Sequence, residues 1–240
     1  MDKCISVIIP TYNERNYINK CIHSVLSQKS ADTEWEIIVS DGGSTDATLD
    51  VLCSCVHKLC AARGRARQLN AGAVEAKGEI LFFLHAHNLL PQGAFDAISS
   101  TIYGEGYDGG GFSNRFSQEN KRIKRAGRII NMELKDIDRD HKNISFCGDN
   151  GIFVKRGVFN TLEGFRDMPI MEDVDFSLRL GRSFRCKRIT EPLIITSSRR
   201  LLQHGIWRTQ LEWFLLMKLY RFGVSPHLLQ KIYRRYQLQK

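Results

Sequence analysis

Residues 4–14 read "CISVIIPTYNE", an apolar, β-branched run that stops at Pro10 and passes into polar residues. An apolar block of this length, closed by proline, is a strand candidate for a parallel sheet with crossover helices. The residues just past the strand decide the kind of sheet. A dinucleotide-binding fold requires GxGxxG immediately after its first strand, whereas this chain has Pro10, Thr11, Tyr12, Asn13 and Glu14 there, and it carries no Walker lysine loop elsewhere. Next come Ile18, Cys21, Ile22, Val25 and Leu26, spaced i, i+3, i+4, i+7, i+8, which predicts one amphipathic helix.

The same alternation continues outward. Strands are expected at Cys4 to Pro10, Glu36 to Asp41, Lys58 to Ala62 and Glu79 to Ala86. Between them a second helix is expected after Ser44 as its N-cap, and a third from Ala66 to Ala76, stopped by Gly78. Strands separated by helices predict an α/β fold with a mostly parallel central sheet flanked by helices. Beyond it, Asp108 to Gly111 reads as punctuation, and Glu119 to Lys135 as a helix with Lys121, Lys124, Arg125 and Arg128 on a solvated face. A strand at 151–155, a helix at 172–180, a strand at 193–196 and a long helix at 205–222 complete the pattern. Without an internal repeat or a low-complexity linker, residues 1–240 read as a single domain, of which 199–240 form a basic helical C-terminal extension.

At 240 residues, 42% hydrophobic and 25% charged, the chain has the composition of a globular enzyme whose core needs no staple. Seven cysteines form no CxxC pair, so free or buried thiols are expected rather than a disulfide framework. The Ile5–Ile9 block is too short for a signal peptide or membrane span, and a cytoplasmic protein is expected. Of the net charge of +9, a balance of +8 lies in residues 199–240, which hold nine Lys or Arg against the single Glu212. Such a tail suits nucleic acid, anionic lipid or phosphorylated substrates. No nucleic-acid motif accompanies it, which sets that partner aside. Trp207, Leu211, Phe214 and Leu215, edged by Arg208, Lys218 and Arg221, have the composition of a helix lying on an anionic membrane at its inner face. A core-packing helix or a homo-oligomer surface is the alternative.

In parallel sheets ligands gather at the carboxyl ends of strands. Those ends carry Thr11 to Glu14, Asp41 to Asp46, Arg63 to Arg67, and His85 to His87. Asp41 could accept hydrogen bonds from a base or ribose, Gly43 permits close backbone approach, and the arginines suit a diphosphate. The competing reading is purely structural: Ser44 and Asp46 cap a helix and Gly43 turns the chain. In "LFFLHAHN" (81–88), two imidazoles at i and i+2 point the same way.

Taken in order, "SVIIPTYNE", "IIVSDGGSTDAT", "GRARQLNAGAVEAKGEILFFLHAH" and "MEDVDFSLRL" resemble the successive signatures of family 2 glycosyltransferases, enzymes of the GT-A fold. With "GDNGIFVKR" and "SSRRLLQHGIWRT" the run is similar to a bacterial subgroup labelled selenodomain-associated transferases, over about residues 4 to 236. The resemblance implies a sugar moved from a UDP- or GDP-sugar to an unidentified acceptor. Pro10, Thr11, Glu14, Asp41 and Gly43 would line the nucleotide pocket, with Arg65 and Arg67 facing the diphosphate. Asp173, beside Glu172, would be the catalytic base of an inverting transfer; a helix N-terminus that favours acids is the structural alternative. His85 and His87 fall on the family's Asp-x-Asp motif, whose last carboxylate holds Mn²⁺ or Mg²⁺. In the subgroup that motif reads His-Ala-Asp, so His87 stands where an acid is expected. Three readings stay open: a divalent site preferring Mn²⁺ to Mg²⁺, diphosphate held by Arg65, Arg67 and imidazolium without metal, or a non-catalytic module that binds nucleotide sugar or a membrane surface.

Overall fold

Strand β1 (Cys4–Thr11) is buried on both faces: Ile5, Val7 and Ile9 meet one layer and Ile8 the other. The computed structural model describes residues 4–30, 33–117, 123, 127 and 146–238. After β1 come α1 (Ile18–Leu26), β2 (Glu34–Asp41), β3 (His57–Cys60), α2 (Arg65–Glu75), β4 (Ile80–Phe83), the short β5 (Asn88–Leu89), α3 (Ala94–Ser99) and β6 (Gly109–Phe116). The second half continues with β7 (Ile152–Lys155), α4 (Arg156–Thr161), α5 (Glu172–Ser183), β8 (Cys186–Thr196), α6 (Arg199–His204), α7 (Ile206–Arg221) and α8 (Pro226–Leu238).

The described strands form one eight-stranded sheet in the order β3-β2-β1-β4-β7-β6-β8-β5. β3, β2, β1 and β4 run parallel; β7 is antiparallel to both β4 and β6, and β8 is parallel to β6. The sheet is therefore mostly parallel with β7 and β5 reversed. Helices cover both faces. α1 buries Ile18, Cys21, Ile22 and Val25 beside Phe82 and Phe95, and α2 buries Ala66, Leu69 and Ala73 beside Leu81 and Phe83. A further small cluster joins Met171 and Val174 of the α5 entry to Leu216 of α7 and Leu229 of α8.

Three expectations change. No helix follows Ser44. Its hydroxyl donates back to Asp41, and Thr48 closes onto Asp46, so residues 44–51 form turns. Gly109 to Gly111 sit inside β6, where sequence alone suggests a break. A Cβ on Gly110 would lie 2.1 Å from the Lys187 carbonyl oxygen, and one on Gly111 2.5 Å from the Phe146 ring. The glycines serve close approach rather than a turn. Cys53 and Cys55 are joined in a disulfide, against the expectation of free thiols; the turn brings their Cα atoms to 5.3 Å, within disulfide reach. Cys4, Cys21, Cys60, Cys147 and Cys186 are free. Of the helix expected over Glu119 to Lys135, Ile123 and Gly127 are described and helical, and the rest lies outside the described residues.

Because the Lys187 backbone, with the buried Phe153 ring beside it, faces Gly110, Gly110→Ala should prise β6 from β8 and cost about 1 to 3 kcal/mol. Urea denaturation would measure this as a lower midpoint; an unchanged midpoint would contradict the close approach.

Candidate functional site

The site is assembled from the loops that leave β1, β2 and β4. At the end of β2 the Asp41 carboxylate is buried and fully engaged: Thr11 Oγ1 donates to it at 3.1 Å, the Gly43 and Ser44 amides at 2.9 and 2.8 Å, and the Ser44 hydroxyl as well. Gly43 has φ +84°, the left-handed conformation that lets its amide turn back onto Asp41. The loop after β1 is zipped to the one after β2. The Asn13 amide donates to Ser44 Oγ, the Thr45 amide to Asn13 Oδ1, and the Glu14 amide to Thr48 Oγ1. Gln68 of α2 spans both strand ends, donating to the carbonyls of Thr11 at 2.6 Å and Ser40 at 2.9 Å. Pro10, Thr11, Asp41 and Gly43 are thus brought together. Asp41 presents itself as the organiser of this corner, and the Arg63 guanidinium lies 3.9 Å over the Tyr12 ring at its rim.

The two arginines of α2 part company. Arg67 turns to the surface and pairs with Asp167 at 2.8 Å, both well exposed. Arg65 turns inward and its Nε donates to the buried Glu172. Burial works against its charge, yet Glu172, Asp173 and Asp149 around it hold the guanidinium above its ordinary range. Glu172 and Asp173 open α5, whose preceding residue Met171 takes a left-handed φ of 69°. Asp173 Oδ1 accepts from the Val174 amide at 2.8 Å and Oδ2 from the Gly148 amide at 2.6 Å.

Asp149 is the site residue that sequence patterns do not single out. It belongs to the turn Gly148–Asn150 ahead of β7. Antiparallel pairing of Phe83 with Ile152 sets that turn opposite the residues leaving β4. Asp149 Oδ1 consequently lies 3.3 Å from His85 Nδ1 and 3.0 Å from His87 Nε2. One ligand atom from each of the three lies within 4.8 Å of the others. The two imidazoles do share a polar partner, as their i, i+2 spacing suggests, and the partner is a carboxylate from a distant segment. The only signal available in sequence was an acid in a Gly-Asp-Asn-Gly turn just before a strand. Burial disfavours the charged form of His87, but the hydrogen bond and charge of Asp149 outweigh it and raise its pKa above the usual value. Burial likewise opposes ionisation of Asp149, while hydrogen bonds from His85 and His87 hold it well below the usual carboxylate range. Gly148 is pinned on both sides: a Cβ there would sit 2.1 Å from the His85 ring. Glu14 completes the rim, with Oε1 3.7 Å from the Arg199 guanidinium and a buried Oε2 that has no hydrogen-bond partner among the described residues.

The profile of Glycosyl transferase family 2 matches residues 6–162, well over half the chain. The chain belongs to this family. It is 25% identical over 233 residues to a dolichyl N-acetyl-alpha-D-glucosaminyl phosphate 3-beta-D-2,3-diacetamido-2,3-dideoxy-beta-D-glucuronosyltransferase of Methanococcus voltae, covering 88% of this chain and 69% of that one. To glycosyltransferase AglE of Haloferax volcanii it is 29% identical over 180 residues, 71% of this chain and 54% of the relative. Among solved structures, the mannosyltransferase PcManGT of Pyrobaculum calidifontis, in complex with GDP-Man and Mn²⁺, superposes with a TM-score of 0.66 at 19% identity over 98% of this chain and 70% of that one. Staphylococcus aureus TarS 1–349 with UDP-GlcNAc gives 0.63 at 18% identity, over 80% and 58%. These likenesses establish the GT-A fold for this family 2 transferase.

The hydrogen bonds to Asp41 carry a direct consequence. Asp41→Asn retains one acceptor oxygen and turns the other into a donor facing donors. Denaturation without any nucleotide should show a loss of about 1 to 3 kcal/mol. A variant as stable as the parent would free Asp41 from this organising role.

Proposed function

We propose that the chain is an inverting, nucleotide-sugar-dependent hexosyltransferase that takes a UDP- or GDP-sugar and delivers the sugar to a lipid-linked acceptor at the inner face of a membrane. One observation carries the reading. Asp173 and the His85–His87–Asp149 cluster meet across a single turn, the Gly148 amide holding Asp173 while the neighbouring Asp149 faces both imidazoles. A candidate base and a candidate ion site joined through the neighbouring residues Gly148 and Asp149 is what transfer with a diphosphate leaving group requires.

The donor set fits a divalent ion. Two imidazoles and a carboxylate within 4.8 Å of one another favour Mn²⁺ over the harder Mg²⁺. An ion held by His85, His87 and Asp149 would neutralise negative charge on the donor diphosphate. Asp149 also answers the departure at His87, since a carboxylate is supplied from across the sheet; this favours an enzyme over a non-catalytic binding module. In the proposed mechanism Asp173 accepts the acceptor hydroxyl's proton. Its two hydrogen bonds leave lone pairs on both oxygens and fix the carboxylate against rotation. Arg65, held beside Glu172, keeps a positive charge next to these carboxylates. Asp41, Thr11 and Gly43 shape the nucleotide corner with Pro10 and Glu14, whereas Arg67 reaches a diphosphate only by releasing Asp167. Residues 1–240 are taken as one unit, with 199–240 as its helical extension.

The lipid-linked acceptor draws support from the Methanococcus relative, whose name specifies a dolichyl-linked glycosyl phosphate. The donor class draws it from the two solved neighbours with GDP-Man and UDP-GlcNAc. Among the described residues no helix is long and apolar enough to cross a membrane.

A donor-hydrolysis screen over UDP- and GDP-sugars with EDTA, Mn²⁺ or Mg²⁺ tests the reading. Asp173→Asn should lower turnover by roughly 10²- to 10⁴-fold while nucleotide affinity, followed by calorimetry, stays within a few-fold. Retained turnover would remove Asp173 from the role, and full wild-type activity in chelator would remove the ion.

Acidity provides a second test. The ion requires neutral imidazole, and the pKa of His87 is raised, so protons compete with the ion to a higher pH than for an ordinary histidine. The half-saturating Mn²⁺ concentration should fall as pH rises and level off only above the reference value of about 6.5. Asp149 stays ionised throughout and adds no slope. Titrations of Mn²⁺ that show no dependence between about pH 6 and 8 would exclude His87 as a ligand.

A further inference from the structure

Helix α7 is apolar on two sides and covered on one. Leu216 is buried and Trp213, Met217 and Tyr220 pack around it against α5 and α8. On the other side Trp207 is 72% exposed, Leu211 68%, Phe214 57% and Phe222, just past the helix, 82%. With Leu215 and Lys218 these residues fall on one arc of about 100° at the helical repeat, and Arg208 and Arg221 flank it on either edge. An apolar arc that faces outward calls for a cover. The helix is 16 residues long, with four charged positions along it, and it is too short and too polar to span a bilayer.

A second feature adjoins it. A cavity of about 640 Å³ opens at the end of α7, between α5 and the turn into α8, lined by Arg166, Arg179, Arg182 and Arg221. Its carboxylate, Asp175, is already engaged by Arg166, Arg179 and the Tyr220 hydroxyl. The excess positive charge is therefore left for an anion from outside. Arg221 lines the cavity and edges the arc. The segment that carries them starts at Arg199, whose guanidinium reaches Glu14 at the site rim, and it holds a charge balance of +8.

We propose that the exposed arc of α7 rests on an anionic phospholipid bilayer, with aromatic and leucine side chains at the acyl boundary, Arg208, Lys218 and Arg221 at the phosphates, and one lipid phosphate in the arginine-lined cavity. Charge and shape agree on this occupant: Trp, Phe and Leu in a row between cations is the surface that an interfacial helix presents to anionic lipid. The proposal rests on the reading of a membrane-borne acceptor and specifies which surface meets the membrane.

Vesicle sedimentation of the full chain tests it. The chain should sediment with phosphatidylcholine vesicles containing phosphatidylglycerol, should bind pure phosphatidylcholine far less, and should be released as salt rises. Trp207→Ser with Phe214→Ser should lower partitioning by about tenfold or more. Lys218→Glu with Arg221→Glu should abolish the preference for phosphatidylglycerol. Both double variants should keep lipid-free donor hydrolysis, because none of these residues belongs to the site. In the unaltered chain, brominated lipid should quench tryptophan emission, and Trp207→Phe should remove the quenching, since Trp35 and Trp213 pack inside the fold. Absence of binding, equal binding to neutral and anionic vesicles, or a dimer in light scattering that Trp207→Ser with Phe214→Ser dissolves would each overturn the proposal. Vesicle binding without any donor hydrolysis would uphold the docking surface while refuting the transferase reading.

Discussion

The arrangement depends on one strand pairing. β7 runs antiparallel to β4 in a register that places Ile152 opposite Phe83, and in that register the turn ahead of β7 must meet the loop leaving β4. A slip of β7 by one residue would turn Phe153 out of the layer it shares with Phe82 and put Val154 there in its place, and both layers are buried and packed. Core packing therefore enforces the register, and the register fixes Asp149 between the two imidazoles. Stability of the sheet and geometry of the site are one constraint seen at two points.

Gly148 transmits that constraint to the other half of the site. It packs against the His85 ring and its amide reaches Asp173, so the histidine loop, the turn and the head of α5 are held as a stack. Any side chain at Gly148 would have to displace the His85 ring. Met171 ends the approach to α5 in a left-handed conformation that aims Glu172 and Asp173 into the site, and Arg65 clamps Glu172 there. Acidic residues at a helix N-terminus are favoured by its dipole, so the pair is compatible with the fold as well as with the chemistry. The C-terminal helices extend the same logic: α7 gives one face to Met171 and Val174 behind the site and leaves the other uncovered.

Much of this was legible in the chain itself. β1, α1, β2, α2, β4 and α5 lie close to where hydrophobic periodicity places them, because each has a buried stripe dense enough to show its period. The sequence also located Thr11, Asp41, Gly43, Glu172 and Asp173 at strand ends or a helix start, and the order of motifs pointed to the family that the profile match bears out. Local patterns misled where tertiary contacts compete with them. Ser44 has the chemistry of an N-cap but spends its hydroxyl on Asp41, and Gly109 to Gly111 look like a break but lie in a strand whose neighbours leave no room for Cβ.

Residue type and spacing along short segments are enough to dictate the strand–helix alternation, the polar strand ends and the positive tail. Folding in three dimensions was needed to choose which residue answers the two histidines, which arginine of α2 turns inward, and which face of α7 stays uncovered. Asp149 lies more than sixty residues from His85 and His87. Arg65 and Arg67 differ in nothing but their place on the helix until Glu172 and Asp167 arrive from the far end of the chain. Such pairings are set by strand register and helix packing, which join segments whose separation in sequence carries no local signal.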